Sequence, residues 1–98
     1  MTTSEKTIEK NIRTYLDSLN AYHIKIHGSA FMAAGTPDIL TCVGGHFVGI
    51  EVKRKTGGVV SPLQKFKIRE IQNAGGIALV ARSVEDVKKE FRKEGLIG

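Results

Sequence analysis

Residues 35–53 read Gly35-Thr36-Pro37-Asp38-Ile39-Leu40-Thr41-Cys42-Val43-Gly44-Gly45-His46-Phe47-Val48-Gly49-Ile50-Glu51-Val52-Lys53, and this stretch decides the fold. Two β-rich runs flank Gly44-Gly45, a pair with the chemistry of a two-residue hairpin turn. With those glycines at the turn Val43 faces His46, and carrying the register outward sets Asp38 directly across from Glu51. Side chains alternate along a strand, so Glu51 and Lys53 share one face while Val48, Ile50 and Val52 take the other. Asp38, Glu51 and Lys53 therefore come together. Opposed carboxylates destabilise a strand pair, so a cation is expected beside them: Lys53 and, with it, a divalent metal. Carboxylate oxygens that leave positions for water and phosphate suit magnesium, with the backbone carbonyl of Val52 as a further oxygen. Taken singly, these residues have ordinary readings. An acid before a strand forms turns, and a Glu–Lys pair two apart can lie on a solvated face. It is the combination that points to a site.

The composition sets bounds. Ninety-eight residues make one domain, 1–98, with one modest core. A net charge of +5 points to a polyanionic partner, most simply nucleic acid. The single cysteine, Cys42, rules out an internal disulfide and any cysteine-based zinc site. No apolar run approaches the roughly 18 residues of a membrane span. The polar Thr2–Lys10 stretch is unlike a signal peptide, so a reducing, cytoplasmic location is expected.

Upstream, Ile8, Ile12, Tyr15, Leu16 and Leu19 recur at helical spacing and predict an amphipathic helix from Glu5 to Asn20. Thr2, Thr3 and Ser4 offer caps for it, Thr2 and Glu5 standing at capping-box spacing. Glu5 falls near the middle of the apolar stripe and Glu9 on its border, while Lys6, Lys10, Arg13 and Asp17 point outward. A border acid can reach a site on a sheet; a solvated border acid shows the same pattern. Residues Tyr22 to His27 alternate as an edge strand, with His23, Lys25 and His27 on one face. Gly28 to Gly35 is a small-residue loop carrying Ser29, Phe31 and Met32.

Downstream, Arg54 and Lys55 follow the acidic centre, where a phosphate backbone would pass. Ser61-Pro62-Leu63-Gln64 starts a helix with an N-cap, a proline at the first position and a glutamine at capping-box spacing. Leu63, Ile68, Ile71 and Ala74 mark its buried arc. Gln64 sits inside that arc with Lys67 beside it, and a glutamine there needs a polar partner, which the carboxylate cluster supplies. Residues 77–81 are a short apolar strand parallel to its predecessor. Ser83 caps a last helix, with Asp86 at capping-box spacing.

Pro37-Asp38 followed by Glu51-Val52-Lys53 after a hairpin resembles the PD-(D/E)XK nuclease superfamily. Gly35-Thr36-Pro37-Asp38 together with Ser61-Pro62-Leu63-Gln64 looks like its VRR-NUC branch in the stand-alone phage form, similar also to archaeal Holliday-junction resolvases. The resemblance spans Glu9 to about Phe91. It implies an α/β, restriction-endonuclease-like mixed β-sheet flanked by helices, in the order α-β-β-β-α-β-α. It implies Mg2+, with Mn2+ able to substitute, held by Asp38, Glu51 and Val52, with Glu9 completing the shell. Gln64 matches the glutamine of the VRR-NUC motif and joins Asp38, Glu51 and Lys53 as catalytic, while Ser29 matches a resolvase serine on the DNA side with Arg54, Lys55 and Lys67.

The expected function is a magnesium-dependent, structure-selective DNA endonuclease acting on branched DNA such as four-way junctions. Cutting both strands of a junction with one site per chain implies a homodimer, for which Phe31, Met32, Cys42, Phe47, Leu96 and Ile97 offer apolar surface. The alternative is a branched-DNA-binding module of the same fold that does not cut.

Overall fold

The computed structural model describes residues 3–27 and 34–98. Its elements run α1 (Glu5–Ser18), β1 (Tyr22–Lys25), β2 (Ile39–Val43), β3 (His46–Val52), α2 (Pro62–Asn73), β4 (Ile77–Ala81) and α3 (Val84–Lys93). The four strands form one sheet in the order β1-β2-β3-β4, antiparallel at the first two junctions and parallel at the third. This is the mixed sheet and the element order expected from the sequence.

The hairpin closes as the glycine pair requires. Gly44 and Gly45 take φ values of 54° and 85°, a left-handed pair that matches the twist of the flanking strands. Val43 then pairs with His46, and the register runs outward to Ile39 against Ile50. The ladder stops there. Asp38 lies one step beyond it in a bend, with its carbonyl accepting the N–H of Ile26.

One face of the sheet carries the core. Ile39, Val43, Val48, Ile50, Val52, Leu79 and Ala81 are buried under Ile8, Ile12 and Leu16 of α1 and Val87 and Phe91 of α3. Burying a side chain of this size is worth about 1.5–3 kcal/mol, so this face supplies most of the cohesion. Leu96 and Ile97, expected at an interface, pack partly buried against this core. The turn at Gly95 (φ 74°), in which the Leu96 N–H reaches the Phe91 carbonyl, folds them back. Helix α1 is capped by Ser4, whose hydroxyl accepts the Thr7 N–H, and it ends at Ser18, just before Asn20 with its φ of 56°. Thr2 lies outside the described residues. Ser83 caps α3, but Asp86 does not complete the box; its carboxylate accepts the Arg82 N–H instead.

Among the described elements α2 packs on the other face, against β3 and β4, with Pro37 beside it against Gly49. Ile71 rests against Gly49 and Gly76: a Cβ on either glycine would lie within 2.9 Å of it. The remaining α2 side chains sit shallowly. Leu63 and Ala74, expected on a buried arc, are exposed, because a helix laid over two strands of a four-strand sheet buries only its centre line. Tyr22, Ile24, Cys42 and Phe47 are correspondingly open to solvent on β1, β2 and β3.

Candidate active site

The C-terminal end of β3 gathers the chemistry. Glu51 is only 2 % exposed, an unusual depth for a carboxylate. Its Oε2 accepts the Gln64 Nε2–H at 3.2 Å and lies 3.7 Å from Lys53 Nζ. Its Oε1 is buried and, among the described residues, receives no hydrogen bond. Asp38 enters from the end of β2, with Oδ2 accepting the Val52 N–H at 2.7 Å. In an extended strand the N–H and C=O of one residue leave on the same edge, so the Val52 carbonyl lies on the Asp38 side.

Burial pushes the Glu51 carboxyl up to about 8. The adjoining Asp38 adds to this through hydrogen bonding and charge, Lys53 opposes it, and Glu5 contributes a smaller push upward. Two ionised carboxylates cannot donate to each other, so the contact becomes a hydrogen bond only when the pair holds a proton.

Gln64 has two roles. Its Oε1 accepts the Ser61 N–H at 2.9 Å while its own N–H goes to the Ser61 hydroxyl, a complete capping box. With the carbonyl end so held, the amide nitrogen can only be presented to Glu51. Capping and service to the site are thus the same conformation.

An open cavity of about 360 Å³ leads to the site, lined by Glu5, Lys6, Glu9, Lys25, Asp38 and Val52. Glu9 lines it too, but its carboxylate is engaged by Lys25 at 3.1 Å. Glu5 and Lys25 were not singled out as site residues from sequence. Glu5 sits near the middle of the apolar stripe, a signal that it faces inward; it reaches the Arg54 N–H at 3.4 Å. Lys25 gave no signal beyond its strand alternation.

The basic residues after β3 are placed unequally. Arg54 folds its own loop, donating to the Thr56 carbonyl at 2.9 Å and the Gly57 carbonyl at 3.3 Å, and lies 3.7 Å from Glu5. Arg82 pins the same loop through the Arg54 and Gly58 carbonyls at 2.8 and 3.0 Å. Lys55 is exposed, whereas Lys67 pairs with Glu70 at 3.2 Å. Ser29, Phe31 and Met32 lie outside the described residues. Of the histidine face on β1, His23 is taken by Asp17 at 2.6 Å and by Arg13 at 3.3 Å. Among the described residues no three His, Cys, Asp or Glu side chains are grouped to hold a metal.

Fold and site together define an α/β domain with paired carboxylates and a lysine at the end of a hairpin. The chain is similar to a solved VRR_NUC domain, with a TM-score of 0.76 at 20% identity over 92% of this chain and 97% of that one. It is also similar to a VRR_NUC domain protein, with a TM-score of 0.70 at 19% identity over 94% and 88%. At these identities the likeness is one of architecture: the chain has the fold of these VRR_NUC domains. No family model matches the sequence, and no curated protein matches it.

Proposed function

We propose that the chain is a magnesium-dependent DNA endonuclease. The observation that carries this reading is the buried Glu51, whose Oε1 has no hydrogen-bond partner among the described residues, beside Asp38, Lys53 and Gln64. The donor set fits magnesium: hard carboxylate oxygens, two side chains rather than a closed cage, and an open approach for water and phosphate. Asp38, Glu51 and the Val52 carbonyl would hold the ion, with Glu9 joining if Lys25 releases it; Mn2+ would take the same ligands. When bound, the ion lowers the pKa of a coordinated water and stabilises charge on the phosphate.

The chain's own groups do the rest. Gln64 fixes the Glu51 carboxylate from one side while Val52 N–H fixes Asp38 from another. Lys53, held 3.7 Å from Glu51, orients the attacking water and faces the charge that develops on phosphorus. Water adds to phosphorus as the bond to the leaving sugar oxygen breaks, and the proton given up by the water is balanced by one taken up by the leaving oxygen, which ends as a free hydroxyl. Lys55 and Lys67 would contact flanking phosphates with Ser29, and Arg54 would shape the loop that presents Lys55.

The finer reading is a homodimer acting on branched DNA, such as a four-way junction, in the cytoplasm. One site per chain and the solvent-exposed Cys42 and Phe47 support the dimer; the resemblance to resolvases supports the substrate. Incubating supercoiled plasmid and a four-way junction with the protein, in magnesium and then in EDTA, tests the assignment. Cleavage that requires the ion and disappears in Asp38→Asn is expected. Junction binding without cleavage in either metal would favour the non-cutting module, and sedimentation at micromolar concentration decides the dimer.

A further inference from the structure

Beside the cavity at the carboxylates runs a second open groove of about 450 Å³ along the outer edge of α1. The two share Lys6 and Glu9 in their walls, so one continues into the other. Lys6, Lys10 and Arg13 line the second groove. Three cations on a helix are ordinarily a solvated face, and on each of the other two helices one lysine is neutralised locally, the remaining cations there having no carboxylate within 4 Å among the described residues. Lys67 pairs with Glu70, and Lys88 pairs with Glu85, each three residues away.

On α1 the corresponding acid has been drawn off. Glu9 stands three residues after Lys6, yet its carboxylate goes to Lys25 of β1. Asp17, the other acid in the groove, is bonded to His23. Among the described residues Lys6 and Lys10 are left without a carboxylate within 4 Å. Arg13 is not loose either: its Nε donates to His23 Nδ1, which braces the guanidinium and leaves its terminal N–H groups for another acceptor. The fold thus diverts two acids to the sheet edge and leaves a row of cations facing outward.

We propose that this α1 groove, through Lys6, Lys10 and Arg13, is a phosphate-backbone track that leads one DNA strand into the carboxylate site. The inference rests on the nuclease reading and extends it to a surface that the hairpin motif does not include. The seven residue steps of helix from Lys6 to Arg13 rise about 10 Å, a span that reaches more than one phosphate of a DNA strand. Such contacts position the strand without reading its sequence.

The test is binding, in a background that cannot cut. Fluorescence anisotropy of a labelled duplex is followed from low to high NaCl with Asp38→Asn and with the same chain carrying Lys6→Ala and Lys10→Ala. These two lysines have no ion-pair partner to disturb, so the double variant is expected to fold as its parent does, which thermal melts check. The double variant should bind more weakly at every salt concentration, and its slope of log K against log salt should fall by about 2. Adding Arg13→Ala should take away about one more. Lys88→Ala on α3 should change neither quantity. A double variant with its parent's affinity and slope overturns the track and leaves the nuclease reading standing; a parent that binds no DNA at low salt overturns both.

Discussion

The side-chain nitrogen of Gln64 lies 3.2 Å from Oε2 of Glu51, and the same glutamine closes the capping box of α2 through Ser61. A helix start is thereby tied to the deepest carboxylate of the chain. Substituting this position should separate the two roles. Gln64→Glu keeps the capping geometry but sets a further carboxylate against Glu51; Gln64→Ala loses both. Urea melts should show Gln64→Ala down by about 1 kcal/mol from the lost hydrogen bond to the Ser61 N–H, with Ser61 still capping the helix. Plasmid cleavage should fail in both variants, and a Gln64→Glu protein that cuts like the parent would reduce Gln64 to a cap.

Stability should carry the signature of Glu51. Its carboxyl sits at about 8 in the folded chain against an ordinary 4.5. Between those values the folded chain keeps a proton that the unfolded chain has lost. Stability therefore falls as pH rises through that window. Glu51→Gln removes the term, so in metal-free buffer the variant should gain on the parent from pH 5 to pH 8.5, by a few kcal/mol at the upper end. Parallel stability curves for the two proteins would contradict the burial argument.

Lys53 should matter for turnover more than for affinity. Lys53→Ala removes the cation that opposes the upward push on Glu51 and the charge facing phosphorus. A fall in cleavage rate on the order of a hundredfold is expected, with DNA affinity nearly kept. Lys55→Ala should do the reverse, weakening binding and lowering its salt dependence. Equal losses of affinity in the two variants would make Lys53 one more phosphate clamp.

Arg82 should act at a distance from the chemistry. It holds the loop after β3 by two carbonyls, Arg54 and Gly58. Arg82→Ala leaves both without this donor, at a cost of about 1–3 kcal/mol. Hydrogen exchange should quicken over residues 54–58 while the β2–β3 hairpin stays protected. Unchanged exchange in that loop would show that Arg54 alone shapes it.

Much of this arrangement was legible because it is local. The glycine pair at 44 and 45 dictates the hairpin, whose ladder ends at Ile39 and Ile50 and leaves Asp38, one step beyond, beside Glu51. The first-position proline, the serine cap and the glutamine at 61–64 likewise declare both the start of α2 and the direction in which Gln64 looks. What escaped the sequence depends on distant chain. Wheel geometry gives the direction a helical residue faces but not how deeply the helix is laid down, hence the exposed Leu63 and Ala74. Nor could alternation on an edge strand reveal that Lys25 would claim Glu9, or that Arg54 would turn inward on its own loop.

The two carboxylates share one hairpin, whereas the amide donor to Glu51 comes from elsewhere: Gln64 on α2. A hairpin closes in about 1–10 μs, while parallel pairing of β3 with β4 must wait for the whole crossover through α2. The repelling pair is thus expected to meet in a chain that has not yet acquired its amide donor. Refolding speed, and not only final stability, should then depend on whether a proton or a divalent ion is at hand. Stopped-flow refolding without metal is expected to be faster at pH 6 than at pH 9, and Glu51→Gln to be indifferent to the change. Equal rates for the parent at both pH values would place the meeting of the carboxylates after the rate-limiting step. The residues that would cut DNA would in that sense also pace the zipping of the sheet that carries them.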